Sequence, residues 1–443
     1  MYIDHFIDKM LKNADKEAVI YKDEIYSYGY LNERIGYWQS IIRKDIVPGA
    51  VVALQSDFNT DAISILLALI ENSNVIVPIN IQSKDVTNKL RVAEVEDHIL
   101  FDCNGYKHTK TENISIHKYI QQLKDSSKPG IIIFSSGSTG EPKAALHDFT
   151  LLLEKYKHVR QPLRTLIFLL FDHWGGLNTL FHILSNGGVV GVPEKNAPDA
   201  ICGFIEKYKI ELLPTTPTFI NMILYSKVYE NYDLSSLKII SYGTEPMHES
   251  TLKAFNRIFP EIRLKQTYGL TELGVMNSKS KSSDSLWMKV GGSGYETKVV
   301  NNILFIKAES TILGYLNAEV PIDSDGWYNT GDKVEQDGEW IKILGRESEM
   351  INVGGQKVNP AEVESVILEI DNIIDVTISA VTNPILGQVV GARINLENDE
   401  SLYDIKKRIQ KHCAARLEKY KIPVHVEIVS QEQFSERFKR IRL

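Results

Sequence analysis

Between about residues 50 and 270, short apolar runs alternate with stretches whose apolar residues recur at helical spacing. AVVALQ, NVIVPI, HILFD, IIIF, LIFLL, GGVVGVP, ELLP and LKIISYG read as strands. NTDAISILLALIENS, FTLLLEKYKHV, APDAICGFIEKYK, PTFINMILYSKVY and HESTLKAFNRIF read as helices. Parallel neighbours need a crossover, usually a helix, so the alternation predicts α/β architecture with largely parallel sheets. From about 285 to 345 the texture changes to a β-rich subdomain, with turn signals (NN, DG, GG) every few residues as in hairpins. After Arg346 a small α+β unit follows. PAEVESVILEI is a helix with Pro360 in its first turn, DVTISAV and VVGARINL are strands, YDIKKRIQKHCAARLEKY is a helix and VHVEIVS a last strand. The opening MYIDHFIDKMLKNADKEAVI reads as an amphipathic helix.

Composition narrows the classes. The chain has 443 residues, of which 43% are hydrophobic, enough for a large core divided among two or three domains. Mean hydropathy is -0.16, and no apolar run reaches the roughly 18 to 20 residues that span a bilayer. The acids and lysines of the opening segment do not suit a signal peptide. Cys103, Cys202 and Cys413 lie far apart without metal spacing, which suggests reduced thiols and a cytoplasmic location. A net charge of -7 gives no electrostatic case for a nucleic-acid partner.

Candidate chemistry starts at IIIFSSGSTGEPKAAL (131–146), where an apolar strand runs into a loop of small and hydroxylic residues ending in a lysine. Ser135, Ser136, Gly137, Ser138, Thr139 and Gly140 offer hydroxyls and unobstructed backbone N–H groups, and Lys143 adds a positive charge, a combination suited to a polyphosphate. It is not the GxxxxGK[ST] loop, because Ala144 follows the lysine. Taken alone, the stretch also fits amidase-like chemistry with serine nucleophiles, or an ordinary surface loop. QTYGLTELG (266–274), SYGTEPM (241–247) and GWYNTGD (326–332) place acids and an aromatic at strand ends, where each could equally be a buried turn or a cap.

The order of these motifs resembles the ANL superfamily of adenylate-forming enzymes, from about residue 20 to the last residue. SSGSTGEPK resembles that family's phosphate loop, YGLTE its central motif and TGD its ribose motif; GR followed by GGQKVNPAEVE resembles the start of its mobile C-terminal domain. The resemblance implies a large N-terminal adenylate-forming domain over 1–344 and a small mobile domain over 345–443. Ser135 to Lys143 are then expected to cradle the β- and γ-phosphates of ATP. Gly243, Thr244 and Glu245 line adenine, and Tyr268 stacks on it. Thr271 touches the α-phosphate, Glu272 holds Mg²⁺, and Asp332 and Arg346 take the ribose. The C-terminal QFSERFKRIRL keeps a K-x-x-R spacing in Lys439 and Arg442, which makes Lys439 the expected cation on the attacked phosphate. Phe438 stands where the family usually has glycine, and Ser348 where it has a hinge Asp or Lys. Gly354 and Gly355 are expected to line a pantetheine path once the small domain turns.

FLLFDHWGGLNTLFHILSNGG (168–188) resembles the family's acyl-side motif, with His173 at the mouth of the carboxylate pocket; a buried structural histidine would look the same. Phe171-Asp172 resembles the pair with which amino-acid-activating relatives hold an ammonium, but the glycine spacing fits the acyl and aryl members better. The implied reaction is activation of a fatty or aryl acid to acyl-AMP, then transfer to the thiol of CoA or of a carrier-protein phosphopantetheine. Alternatives are an amino-acid-activating enzyme, an acid–amine ligase, or a degenerate nucleotide-binding relative.

Overall fold

The computed structural model describes residues 2–135, 142–292, 294–435, 438, 440 and 441. Two seven-stranded sheets form the large part of the molecule. The first runs in the order Arg263–Gln266, Ile239–Tyr242, Leu212–Thr215, Arg164–Leu166, Val189–Val192, Glu17–Tyr21 and Glu24–Ser27, parallel except for its last strand. The second runs Gly314–Tyr315, Lys143–Asp148, Gly130–Ser135, Val75–Ile79, Val51–Gln55, Asp97–Asp102 and Gly105–Lys110. Its four central strands are parallel, and its outer strands antiparallel.

One apolar cluster takes in residues of both sheets and of the helices Tyr28–Asp45, Thr60–Glu71 and Trp174–Asn186. The helix Thr60–Glu71 is apolar all round and buried almost throughout, as a helix between layers must be. Asn59 starts it by accepting a 2.8 Å hydrogen bond from the Ala62 amide.

A six-stranded antiparallel sheet follows, in the order Ser278–Ser280, Trp287–Val290, Trp340–Arg346, Tyr328–Asp337, Ile303–Ala308 and Tyr295–Val300. The C-terminal unit is a five-stranded sheet whose long hairpin, Ile373–Asn383 with Gly387–Leu396, is flanked by helices Pro360–Ile367 and Leu402–Ala414. It docks on helices Pro217–Ser226 and Glu249–Ile258 of the large part. Asn221 Nδ2 donates to the Ile374 carbonyl at 3.3 Å, and His248 Nε2 lies 3.7 Å from the fully buried Glu364 carboxylate.

Three sequence expectations are corrected. The opening segment is helical only over Asp4–Lys12, and Glu17–Tyr21 is a strand added beside Val189–Val192. The LIFLL strand ends at Leu166, and the rest of that apolar run is irregular. The helix read over 403–420 stops at Ala414.

Removing the cap by Asn59→Ala is expected to destabilise the large domain by about 1 to 2 kcal/mol. The check is urea unfolding followed by tryptophan fluorescence, which reports only on residues 38 to 340 because all five tryptophans lie there.

Candidate active site

Ser135, Gly243 to Glu245 and Tyr268 to Glu272 lie at or just beyond the C-terminal ends of parallel strands, where open α/β sheets bind ligands, whereas Asp332 and Arg346 stand on neighbouring antiparallel strands of the β-rich sheet. Ser135 ends one strand and Lys143 begins its antiparallel neighbour, and the two are register partners at the feet of the loop. Ser136, Gly137, Ser138, Thr139 and Gly140 lie outside the described residues, as does Lys439. Asn317 fixes one foot of the loop. Its side chain accepts from the Ala144 amide at 3.0 Å and donates to the Pro142 carbonyl at 3.0 Å.

Thr271 and Glu272 sit on a tight turn between Gly269–Leu270 and Gly274–Val275. The turn is pinned through its backbone. His147 Nε2 lies 2.7 Å, and Trp174 Nε1 3.1 Å, from the Thr271 carbonyl oxygen. Glu272 is 8% exposed and accepts a hydrogen bond from the Tyr315 hydroxyl; the Tyr328 hydroxyl also reaches it. Burial, followed by the Glu272 charge, pushes both phenols well above their ordinary range, so both remain donors. Lys143 Nζ lies 5.5 Å from the Tyr315 ring centroid, which brings the foot of the loop close to this acid.

Asp332 and Arg346 are cross-strand partners. Asp332 is 5% exposed, with Oδ1 at 2.8 Å from Arg346 Nε while Oδ2 accepts from the Tyr268 hydroxyl at 2.5 Å. Arg346 also donates to the Thr330 carbonyl at 2.8 Å. Opposite, Gly243, Thr244 and Glu245 leave the strand Ile239–Tyr242. Glu245 Oε1 accepts from the Thr218 amide at 2.8 Å, and its Oε2 accepts from the Arg440 amide at 3.2 Å, tying this strip to the C-terminal tail.

His173 caps the helix Trp174–Asn186, its Nδ1 accepting from the Gly175 amide at 3.0 Å. The glycines after it are dictated by close approach, since a Cβ on Gly176 would sit 2.3 Å from the Leu170 carbonyl oxygen. Asp172 is buried with Lys89 Nζ at 3.7 Å, and Lys89 also donates to Ser83 at 2.9 Å.

Gly354 and Gly355 form the two-residue turn of a hairpin, both with positive φ (+56° and +90°), the geometry of a type I′ turn. The turn is exposed, and no hydrogen bond among the described residues joins it to Glu272 or Asp332. Ser348 lies in an exposed 3₁₀ turn, Glu347–Glu349, just beyond the last strand of the β-rich sheet.

Sequence reasoning missed His147, Trp174, Tyr315, Tyr328, Asn317 and Lys89. Each reaches the site through strand pairing or packing across many residues of sequence, so no local spacing announced them. The buried Glu272 carboxylate is a hard oxygen donor of the kind Mg²⁺ takes, and among the described residues no group of three or more His, Cys, Asp or Glu side chains is placed to hold a metal ion.

The described residues thus set the Lys143 side chain, a carboxylate pinned beside it and a carboxylate–arginine pair on an α/β body with an appended small domain. The AMP-binding enzyme model matches residues 6–302 and the AMP-binding enzyme C-terminal domain model residues 362–437, and the chain belongs to the AMP-binding enzyme family. Acyl-CoA synthetase 7 of Caenorhabditis elegans is 29% identical over 332 residues, 67% of this chain and 61% of that protein. Indoleacetate–CoA ligase of Aromatoleum aromaticum is 28% identical over 329 residues, 68% of this chain and 64% of that protein. The matches thus span less than two thirds of these relatives' length. In fold, the chain superposes on an anthranilate CoA ligase bound to anthranoyl-AMP with a TM-score of 0.84 at 18% identity, covering 99% of this chain and 95% of that one. An amide bond synthetase of Marinactinospora thermotolerans gives 0.78 at 16% identity, with 98% and 97% covered.

The buried His147 generates a pH prediction. Burial lowers its pKa from 6.5 to about 4, so between those values the unfolded chain binds a proton that the folded one refuses. Its contribution to stability is complete above about pH 6.5 and is lost as pH falls, amounting to about 2 kcal/mol at pH 5. His147→Gln should therefore lose less stability than the parent between pH 7 and pH 5, as measured by urea unfolding at both. Both proteins retain a further slope from His182, which burial also holds at about 4.

Proposed function

We propose that this protein is an AMP-forming acid–thiol ligase. A carboxylate oxygen attacks the α-phosphorus of ATP, the bond to the β-phosphate breaks and pyrophosphate leaves. A pantetheine thiol, of CoA or of a carrier protein, then attacks the acyl carbonyl, and AMP departs with the electron pair of the broken C–O bond.

The observation that carries this reading is the pairing of two pre-oriented carboxylates across one crevice. Asp332, held by Arg346 and Tyr268, suits a diol, and Glu272, held by two phenols beside Lys143, suits a phosphate-bound cation. Two anions must meet in the first step, and preorganised charge and position are what a protein can supply to that encounter. Ser135 to Lys143 would hold the β- and γ-phosphates, Gly243 to Glu245 and Tyr268 the adenine, and Thr271 the α-phosphate. Mg²⁺ held by Glu272 would neutralise phosphate charge. Lys439 would add the cation on the attacked phosphate, and the domain beginning at 345 would turn about Ser348 to bring Gly354 and Gly355 to the thiol path.

For the acid, we propose a substrate without an α-amine, aryl or aliphatic, with His173 beside its carboxylate. The ammonium of Lys89 next to Asp172 supports this, since an internal cation already faces the acid that a substrate ammonium would need. Several relatives are named for aryl acids, which puts that class first on a test panel.

The test is acid-dependent exchange of labelled pyrophosphate into ATP across aryl, aliphatic and amino acids, followed by thiol-dependent product formation. Exchange with an aryl or aliphatic acid, giving AMP, is the expected result; ADP formation, or amino acids as the best substrates, would overturn it. Product with an amine and without a thiol would favour an acid–amine ligase. Lys439→Ala should slow adenylation by about 10² to 10³ and spare transfer from a preformed adenylate.

A further inference from the structure

Near the end of the small domain, the described residues of the tail contact one another. Phe434 and Arg440 form an antiparallel bridge, the Ile441 amide donates to the Gln433 carbonyl at 2.9 Å, and the Phe438 amide donates to the Ser435 carbonyl at 2.8 Å. Phe438 has φ +49°, in the left-handed region that a bulky side chain occupies only at a cost in free energy. Its ring is set against Phe168 at 5.1 Å and Phe219 at 5.2 Å, both from the large domain, and is stacked at 5.5 Å on Phe434 of the tail. Phe168 and Phe219 are themselves 4.3 Å apart.

The geometry points to Phe438 as a positioning residue, an aromatic wedge that locks the tail of the small domain onto the large domain and favours the closed pose. Two of its three ring partners belong to the large domain, so any rotation of the small domain strips them away. The strained backbone remains a cost in either pose, whereas the two large-domain ring contacts that help offset it exist only in this one. Polar anchors surround the wedge: the Arg440 amide on Glu245, and the Arg440 guanidinium 2.9 Å from the half-buried Asp375 of the small domain. Glu245 belongs to the strip assigned to adenine, so the wedge sits one step from the nucleotide. The inference rests on the two-pose reading of the proposed function, with the closed pose serving adenylation.

The test uses the full chain with one nitroxide on the native, exposed Cys103 of the large domain and another on Tyr403→Cys, a position 74% exposed in the small domain; the other two cysteines are buried. The probe ligands are ATP with the acid that best supports pyrophosphate exchange. In the parent a single interdomain distance should dominate. Phe438→Ala and Phe438→Gly should populate a second distance, and Phe438→Tyr should restore the first. Adenylation should fall about tenfold in the alanine and glycine variants, as expected for loss of one well-packed aromatic contact, while transfer from a preformed adenylate holds or rises. A distance distribution unchanged by Phe438→Ala overturns the inference whatever the rates, and so does an equal fall in both half-reactions. A parent without exchange on any acid would refute the proposed function instead, and the distance measurement would still decide the wedge.

Discussion

The carbonyl of Thr271 is the junction on which the site is built. It receives two ring N–H donors, from His147 on the strand that leaves the phosphate loop and from Trp174 on the helix that follows His173. One backbone oxygen thus ties the loop's strand, the acyl-side helix and the turn carrying Glu272 into a single unit. The neighbouring acid extends the unit, since Glu272 is held by Tyr315 and by Tyr328 of the β-rich sheet. The second seven-stranded sheet, the helix Trp174–Asn186 and the β-rich sheet must therefore all be in register around the turn that carries Glu272. His147 must also be neutral to hold its place so deep in the protein, which links the geometry of the site to pH through burial.

Much of the fold was legible because its elements satisfy local and global demands together. NVIVPI lies wholly inside, and a fully buried parallel strand has to read as a continuous apolar run. Asn301 and Asn302 take the positive φ values a two-residue hairpin needs, and their side chains tolerate them better than most. Other elements were illegible because their identity is decided by tertiary partners. EAVIY has too few residues to show a period, and its pairing with Val189–Val192 on one side and Glu24–Ser27 on the other makes it a strand. LIFLL has strand composition throughout, but beyond Leu166 the chain turns away to let the carbonyls of Leu169 and Leu170 pack on Gly176.

The site divides in the same way. Motif residues on contiguous stretches were readable, since a turn such as GLTELG carries its acid and its turn geometry in one segment. The groups that orient those residues were not. Tyr315 reaches Glu272 because Gly314–Tyr315 pairs with Ala145 and Leu146, a contact set by sheet assembly rather than by spacing. Lys89 meets Asp172 from a helix more than eighty residues upstream. Phe438 is the instructive intermediate. A reader expecting glycine there sees only a substitution, yet the backbone keeps the left-handed conformation suited to glycine while the side chain finds a use across the domain boundary.

That use bears on how two poses can be served by one chain. Among the described residues the contacts between the domains are mixed: Asn221 and Tyr225 bonds to carbonyls, a histidine near a buried glutamate, one aromatic cluster and the tail's amide on Glu245. An interface of that kind holds a pose without fixing it, because each contact is modest and most can be exchanged for water. The aromatic cluster is the exception, since water cannot replace ring contacts without exposing apolar surface. Under the proposed two-pose cycle, this pose is held chiefly by packing near the strip proposed for adenine, and the exposed turn around Ser348 offers little resistance of its own. The proposed cycle then has its balance between poses set in the tail, far in sequence from the proposed hinge, and the residue at that hinge is free to vary so long as it can turn.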